Sequence, residues 1–204
     1  MRFVTALIAA VFCASCASTQ NSVELFGTAR VVNDFESYTL DRVGLLPLEG
    51  NGLTDEQARA LQATFYSELS RSTDFEIVVL APDDLEEIPK SDPVRRGWYE
   101  SATILELSRR FTLDGLLIGT VTDAQTFHPQ RLSVQFDLVS AETGLALWSS
   151  SVHLDAGEDR VRDGLQAFYS WGDGEDSSGE PWELSLHSPR RFARFAAWQV
   201  ARLL

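Results

Sequence analysis

The most regular alternation of hydrophobic and polar residues lies at residues 131–139. Its apolar members are Leu132, Val134, Phe136 and Leu138, and its polar members are Ser133, Gln135 and Asp137. A period of two predicts a strand with one buried face and one solvent-exposed face. The short connection at residues 128–130 predicts antiparallel pairing with an earlier apolar strand at residues 115–122. A loop at residues 140–144, which ends in glycine, leads to a further predicted strand at about residues 145–154.

Two apolar runs of strand length precede this meander, at residues 43–48 and 75–80. Their nearly unbroken hydrophobic character predicts strands that are buried on both faces. Between them, Thr54 and Gln57 form the capping-box pattern that begins a helix. The predicted inward stripe of this helix comprises Ala58, Leu61, Phe65 and Leu69. A second helix is predicted at residues 98–111, with Tyr99, Ala102, Ile104 and Leu105 as its inward residues.

The C-terminal part of the chain predicts further helices, at residues 159–169 and from Pro189 onward. Ser188 is the predicted N-cap of the last helix, because proline favours the first helical position. The predicted apolar stripe comprises Phe192, Phe195, Ala196, Gln199 and Leu203. The order is therefore βαβαβββ followed by helices. Crossover units require parallel strands and a meander requires antiparallel ones, so we predict a single α/β domain with a mixed parallel/antiparallel sheet and helices packed on it.

The first sixteen residues have the pattern of an export signal. A cationic residue precedes an uncharged apolar run at residues 3–12, which is about half of the ~20 residues that a membrane-spanning helix needs. The run ends in Ala14 and Ser15, directly before Cys16. This segment resembles a bacterial lipoprotein signal, which is cut before a cysteine that carries diacylglycerol, although Cys13 stands where leucine is usual. An ordinary secretory cut further on is one alternative, and a redox C-x-x-C is another that the context disfavours.

The lipoprotein resemblance divides the chain into three predicted segments. These are a signal peptide at residues 1–15, a lipidated Cys16 with a tether that extends to residue 41, and a periplasmic domain at residues 42–204. Apolar side chains within residues 23–41 allow either an edge strand or a segment draped over the domain. In lipoproteins of this kind, an aspartate directly after the lipidated cysteine is associated with retention in the inner membrane, and Ala17 stands in that position here. The resemblance therefore implies palmitate-type acylation of Cys16 and an anchor in the outer membrane, with the domain facing the periplasm.

The net charge narrows the range of partners. The 204 residues carry a formal charge of −13, and loss of the one arginine in the signal makes the mature chain −14. Binding to nucleic acid or to anionic headgroups requires clustered Lys and Arg, so both are excluded, and a membrane anchor must be lipid. A hydrophobic content of 44% is that of an ordinary globular domain. No small-molecule substrate is identified.

Residues that could carry chemistry do not form a recognisable motif. His128, His153 and His187 lack the helical i, i+4 spacing and the nearby cysteine of a metal site. An acidic loop lacks the ordered ligand spacing of an EF-hand and is predicted to be solvated; it contains Asp173, Glu175, Asp176 and Glu180. Serines at 149–151 stand outside any nucleophile elbow. The sequence therefore predicts no catalytic, cofactor-binding or metal-binding residue, and no cofactor.

Arginines surround the last predicted helix, at Arg190, Arg191, Arg194 and Arg202. Those at its start oppose the helix macrodipole, which costs about 0.3 to 1 kcal/mol each. Acidic neighbours within this anionic domain would offset that effect, and an external acidic partner is the alternative.

Three stretches carry a resemblance to a known group: RVGLLPL at 42–48, LDGLLIGTVT at 113–122 and LVSAETGLALWS at 138–149. They resemble the α/β domain shared by curli-secretion-channel-like lipoproteins, penicillin-binding-protein activator lipoproteins and the amino-terminal domain of the Tol–Pal translocation protein. The resemblance implies a non-enzymatic envelope protein that binds other proteins or copies of itself. An envelope hydrolase is the alternative from another class. A secretion-channel subunit is disfavoured, because the long predicted hairpins share a strand and are needed for the core.

Overall fold

The structure, a computed structural model, describes residues 23–50, 53–85, 101–171 and 180–204, and within them one sheet organises the fold. The strands are β1 (Gly27–Val31), β2 (Arg42–Leu45), β3 (Glu49–Gly50), β4 (Glu76–Val79), β5 (Gly115–Gln125), β6 (Arg131–Ser140) and β7 (Ala146–Asp155). The helices are α1 (Asp55–Leu69), α2 (Ser101–Phe111), α3 (Asp159–Trp171) and α4 (Pro189–Leu203). Short 3₁₀ helices occupy Phe35–Ser37, Pro82–Leu85 and Trp182–Leu186.

The sheet is mixed, as predicted. Its strand order is β1-β7-β6-β5-β2-β4, with β3 paired to β5 beside this path. β2 runs parallel to both β4 and β5, because α1 and α2 provide the crossovers, whereas β5, β6 and β7 form the antiparallel meander. The α/β fold class is therefore confirmed, and so is the element order from residue 42 onward apart from β3, a two-residue strand where the sequence predicted only a turn. None of the helices in the described residues is both long enough and apolar enough to cross a bilayer.

Residues 23–41 form an edge strand, which is one of the two alternatives that the sequence allowed. β1 pairs antiparallel with β7, from Gly27 opposite Val152 to Val31 opposite Trp148. Just before β1, the ring of Phe26 packs edge-on against Phe195 at a centroid distance of 6.2 Å. The chain from residue 23 onward is thus attached to the sheet.

Helices cover both faces of the sheet. On one face, α1, α3 and α4 bury the main core, where Phe65 of α1 lies 4.8 Å from Phe136 of β6 between ring centroids. On the other face, α2 covers only one end of the sheet, with Ile104 and Leu107 packed on Leu116 and other buried residues of β5 and β6.

The predicted inward face of α2 was wrong in part. Ile104 is buried as expected, but Ala102 is exposed and Leu105 is 40% exposed, while the unassigned Leu107 is buried. Tyr99 lies outside the described residues. α2 is therefore rotated by about one residue from the predicted orientation. The hydrophobic residues of β5 determine which stripe of the helix faces inward, and the sequence of the helix alone does not contain that information.

Local signals in the sequence are otherwise confirmed. Gly144 has a φ of 70° in the loop between β6 and β7, and Ser188 caps α4 ahead of Pro189. Gln199, a polar residue in the apolar stripe of α4, is fully buried. Its amide accepts from the Phe26 amide at 2.8 Å and donates to the Glu24 carbonyl at 2.9 Å. This side chain therefore holds the segment before β1 onto α4.

Candidate functional site

A groove of about 1120 Å³ lies between α1, the first turn of α4 and the connection between β5 and β6. One wall is the outer side of α1 from Gln57 to Ser67, and the other comes from residues 188–194. The end of the groove is formed by β5 and β6 where they meet, at Gln125 and Gln130. We call this feature the α1–α4 groove.

Both helix starts that border the groove are fixed by local capping. The hydroxyl of Thr54 accepts from the Gln57 amide at 3.2 Å, and the Gln57 side chain accepts from the Thr54 amide at 2.9 Å, which completes a capping box. At the start of α4, the Ser188 hydroxyl accepts from the Arg191 amide at 3.4 Å. The walls of the groove are consequently positioned by signals that are present in the sequence.

The lining of the groove is cationic, in contrast to the chain as a whole. Its charged residues are Arg71, Arg131, Arg190, Arg191 and Arg194 on the positive side, and Glu68 and Glu180 on the negative side. Five positive charges against two negative ones give the lining a net charge of +3, whereas the chain carries −13. The groove therefore concentrates positive potential on an acidic protein.

Glu68 holds two of these arginines from inside the groove. Its carboxylate side chain is only 6% exposed and accepts from Arg194 Nε at 3.0 Å and from Arg71 Nη1 at 3.4 Å. Arg194 also lies over the ring of Phe168, 5.9 Å from its centroid. The buried carboxylate thus ties α1 to α4 and orients both guanidinium groups.

Arg191 is held between a carboxylate and an aromatic ring. Its Nη1 donates to Glu180 at 2.7 Å, and its guanidinium carbon lies 4.2 Å from the centroid of Tyr169. The Tyr169 hydroxyl donates to the Arg191 carbonyl at 2.6 Å. Burial raises the pKa of Tyr169 to about 12, which outweighs the opposing effect of Arg194 and Arg191. Tyr169 therefore remains a neutral hydrogen-bond donor at neutral pH rather than an acid or base.

Two arginines of α4 are paired with carboxylates inside the domain. Arg191 and Arg194 have internal acidic partners, Glu180 and Glu68, as the explanation by acidic neighbours predicts. Arg190 is exposed on the groove and makes no ion pair with the described residues. Within the same residues, the buried Nε of Arg191 lacks a hydrogen-bond acceptor, while the buried Nε of Arg131 faces the Asp123 carboxylate at 3.6 Å. Exposed Arg190 therefore supplies the groove with hydrogen-bond donors after these internal pairs are made.

The histidines lie in two places. The rings of His128 and His187 approach to 5.3 Å between centroids, although they are 59 residues apart in sequence. His153 of β7 instead forms a short hydrogen bond with Ser133 of β6 through its Nδ1. Across residues 23–50, 53–85, 101–171 and 180–204, no group of three or more His, Cys, Asp or Glu residues is arranged to hold a metal ion.

The other sequence-derived candidates are dispersed. Cys16, the predicted lipid site, lies outside the described residues, and so do Asp173, Glu175 and Asp176 of the acidic loop. Glu180 is described and pairs with Arg191. The serines at 149–151 lie within β7. Sequence reasoning did not find the groove itself, and the available signal was Glu68, a charged residue beside the inward stripe of α1.

Comparison with known proteins gave structural likeness only. No protein family model and no curated protein matched the chain. Among solved structures, a PelC dodecamer from Paraburkholderia phytofirmans is 13% identical, with 68% of this chain and 89% of that chain covered and a TM-score of 0.44. Lipoprotein GNA1162 from Neisseria meningitidis is 19% identical over 68% and 86%, with a TM-score of 0.40. The C-terminal domain of LpoB from Salmonella enterica is 16% identical over 58% and 86%, with a TM-score of 0.39.

These neighbours match the lipoprotein group that the sequence resembles. Their identities are below 20% and their TM-scores are below 0.5, so these neighbours carry no argument about the role of this chain.

Proposed function

We propose that this protein is a lipid-anchored, non-enzymatic component of the cell envelope that binds a partner protein through the α1–α4 groove. The observation that carries the proposal is the sign reversal at the groove, where five arginines and two glutamates line a surface of an acidic chain. Charge complementarity of this kind steers encounter and determines register more than it adds affinity.

The partner segment is acidic, by the same reasoning. Carboxylates pair with guanidinium groups through charge-assisted hydrogen bonds, and the groove presents exposed Arg190 and Arg71 to solvent. The remaining surface of the chain would repel an acidic partner, because its charge is strongly negative. An acidic segment is consequently drawn to this groove rather than elsewhere on the domain.

The anchor in this proposal is Cys16, which is acylated after removal of residues 1–15. Because Ala17 rather than an aspartate follows the lipidated cysteine, the anchor lies in the outer membrane in this proposal, and the domain faces the periplasm. Two or more acyl chains are needed for stable attachment, because one chain gives only marginal binding. Mass spectrometry of the protein from native membranes tests this part directly. The expected result is an N-terminal acylated cysteine, with a Cys16→Ser variant released into the soluble fraction; an unmodified thiol in a soluble native protein would reject it.

The groove is tested with a double charge reversal, Arg71→Glu with Arg190→Glu. Both side chains are exposed. The change removes the Arg71–Glu68 contact at 3.4 Å and keeps the pair between Glu68 and Arg194 at 3.0 Å. The matched control is Arg30→Glu, because Arg30 is exposed on β1 at the far edge of the sheet. The assay measures fluorescence anisotropy of a Glu- and Asp-rich decapeptide, beside its Gln- and Asn-substituted counterpart.

We expect the native domain to bind the acidic peptide with an affinity that falls as salt rises. The double reversal should weaken binding at least tenfold, while Arg30→Glu leaves it within twofold. Equal binding of both peptides, or equal loss in Arg30→Glu, would contradict the assignment of the groove. In native membranes, the yield of crosslinked partner should fall with the double reversal and stay unchanged with Arg30→Glu. The mass of the crosslinked product will show whether the partner is a second copy of this chain.

A hydrolase is the second candidate, and the Ser133–His153 hydrogen bond is the observation that favours it. Within the part of the chain that the structure describes, His153 is hydrogen-bonded to Ser133 and not to an orienting carboxylate. Asp123 lies opposite Ser133 in the register of β5 and β6, on the side away from His153, and pairs with Arg131 at 3.6 Å. Turnover of ester, peptide or glycan substrates that is abolished by Ser133→Ala would establish this candidate in place of the first.

A further inference from the structure

One end of the molecule carries both the N-terminal exit of the described chain and a highly exposed aromatic side chain. The described chain begins at Val23, and Glu24 forms an ion pair with Arg160 in the first turn of α3. The residues just before α3 contact the connection between β5 and β6. Ala156 donates its amide to the Gln130 carbonyl at 2.8 Å. We call residues 126–130 the β5–β6 tip.

The β5–β6 tip presents apolar surface to solvent. Phe127 is 72% exposed, the highest value among the exposed large hydrophobic residues of the described chain. Leu184, in the neighbouring 3₁₀ helix, is 43% exposed. The two segments are joined by a hydrogen bond at 3.2 Å from the Gln130 side chain to the Ser185 carbonyl. A single exposed apolar residue is ordinary on protein surfaces. Phe127 therefore indicates a membrane contact only if it lies at the same end of the domain as the anchor.

The length of the N-terminal segment decides which end can face a membrane. Cys16 and Val23 are seven residues apart, so the segment between them spans at most about 23 Å when fully extended. The ten residues of β6 extend about 33 Å from the β5–β6 tip to the opposite end of the sheet. A domain turned end for end would hold Val23 farther from the bilayer than the segment can reach. The β5–β6 tip is therefore the end nearer the membrane.

We propose that the β5–β6 tip docks on the membrane surface, with Phe127 inserted at the level of the lipid headgroups. Phe, Trp and Leu side chains of interfacial segments bury their apolar surface at the boundary between headgroups and acyl chains, which removes that surface from water. The lipid in this proposal is zwitterionic, since the contact that Phe127 makes is apolar and needs no charge on the headgroup. This inference rests on the proposed anchor at Cys16, and it adds a fixed orientation of the domain on the bilayer.

The test uses the acylated full-length protein with a single introduced thiol. Removal of the signal eliminates Cys13, and acylation consumes Cys16, so Phe127→Cys and Leu145→Cys each carry the only free thiol in the chain. Leu145 is the matched control, because it is 58% exposed in the loop at the opposite end of the sheet. Each thiol receives a nitroxide label, and the protein is reconstituted in phosphatidylcholine vesicles. Collision with oxygen and with a water-soluble nickel complex is then compared with that of a soluble form that also carries Cys13→Ser and Cys16→Ser, so that it too has one free thiol.

In vesicles, we expect the ratio of oxygen to nickel collision at position 127 to rise at least threefold above its value in the soluble form. The ratio at position 145 should stay the same. Equal ratios at the two positions would overturn the inference, and so would shielding of position 127 in the soluble form, which would indicate self-association. Mass spectrometry of the same samples separates failure of the anchor from failure of the docking, since an unacylated Cys16 refutes the proposed function first.

Discussion

Replacing Glu68 by glutamine removes the buried charge that ties α1 to α4. The substitution preserves the shape of the side chain and one oxygen acceptor, so it changes the charge with little change in packing. Its carboxylate is 6% exposed and contacts Arg194 at 3.0 Å and Arg71 at 3.4 Å. Both guanidinium groups would lose their counter-charge at the floor of the α1–α4 groove.

The expected loss in the free energy of unfolding is about 2 kcal/mol. Removing one member of a fully buried ion pair costs about 3 to 5 kcal/mol, because the other charge is left uncompensated. The side chain of Arg194 is 28% exposed and that of Arg71 is 59% exposed, so water recovers part of their solvation. For a domain of this size, about 2 kcal/mol corresponds to a decrease of about 4 to 8 °C in Tm.

Urea denaturation of the soluble Cys16→Ser protein measures this loss, with Glu106→Gln as control because Glu106 is an exposed residue of α2. A double-mutant cycle with Arg194→Met isolates the pair, and we expect a coupling energy of at least about 1 kcal/mol. A midpoint for Glu68→Gln equal to that of Glu106→Gln would refute the reasoning. It would show that the pair orients the groove without stabilising the fold.

Two further predictions concern buried polar groups. Gln199→Leu leaves the Phe26 amide and the Glu24 carbonyl without their partner, so we expect a loss of about 2 kcal/mol and faster hydrogen exchange in β1 than in β5; unchanged exchange in β1 would contradict this role. Burial raises the pKa of Tyr169 in the folded state to about 12 from 10.0, so the stability it contributes is complete below pH 10 and is lost as the pH rises toward 12. We expect a decrease of about 2 to 3 kcal/mol over this range. It should be smaller in Tyr169→Phe than in a Tyr66→Phe control, and equal slopes in the two variants would disprove the cause.

The elements that the sequence predicted well are those with local causes. Alternation at residues 131–139 predicted β6. The face that carries the polar residues is less exposed to solvent than the pattern suggests, since Ser133 is buried and Gln135 is half-buried. His153 of β7, which hydrogen-bonds Ser133, supplies part of that cover, and it comes from another part of the chain. The inward face of α2 was misassigned for the same reason, because its amphipathic pattern permits two neighbouring stripes.

The candidate site was the part least accessible to sequence reasoning. Arginines around α4 and a polar residue at position 68 are visible in the sequence, but the pair that joins Arg194 to Glu68 spans 126 residues. His128 and His187 likewise meet only through folding. Sequence spacing identifies groups that are neighbours on one helix or strand, and it contains no information on which distant helices pack side by side.

By itself, the sequence determined the capped helix starts, the glycine turn at Gly144, the alternation of β6 and the acidic charge, because each depends on neighbouring residues or on composition alone. Only the tertiary structure decided that α1 and α4 lie side by side, and that their arginines form a cationic groove around Glu68. Burial of side chains from distant segments against the same sheet produces that arrangement, and the free energy of such packing is a property of the assembled fold.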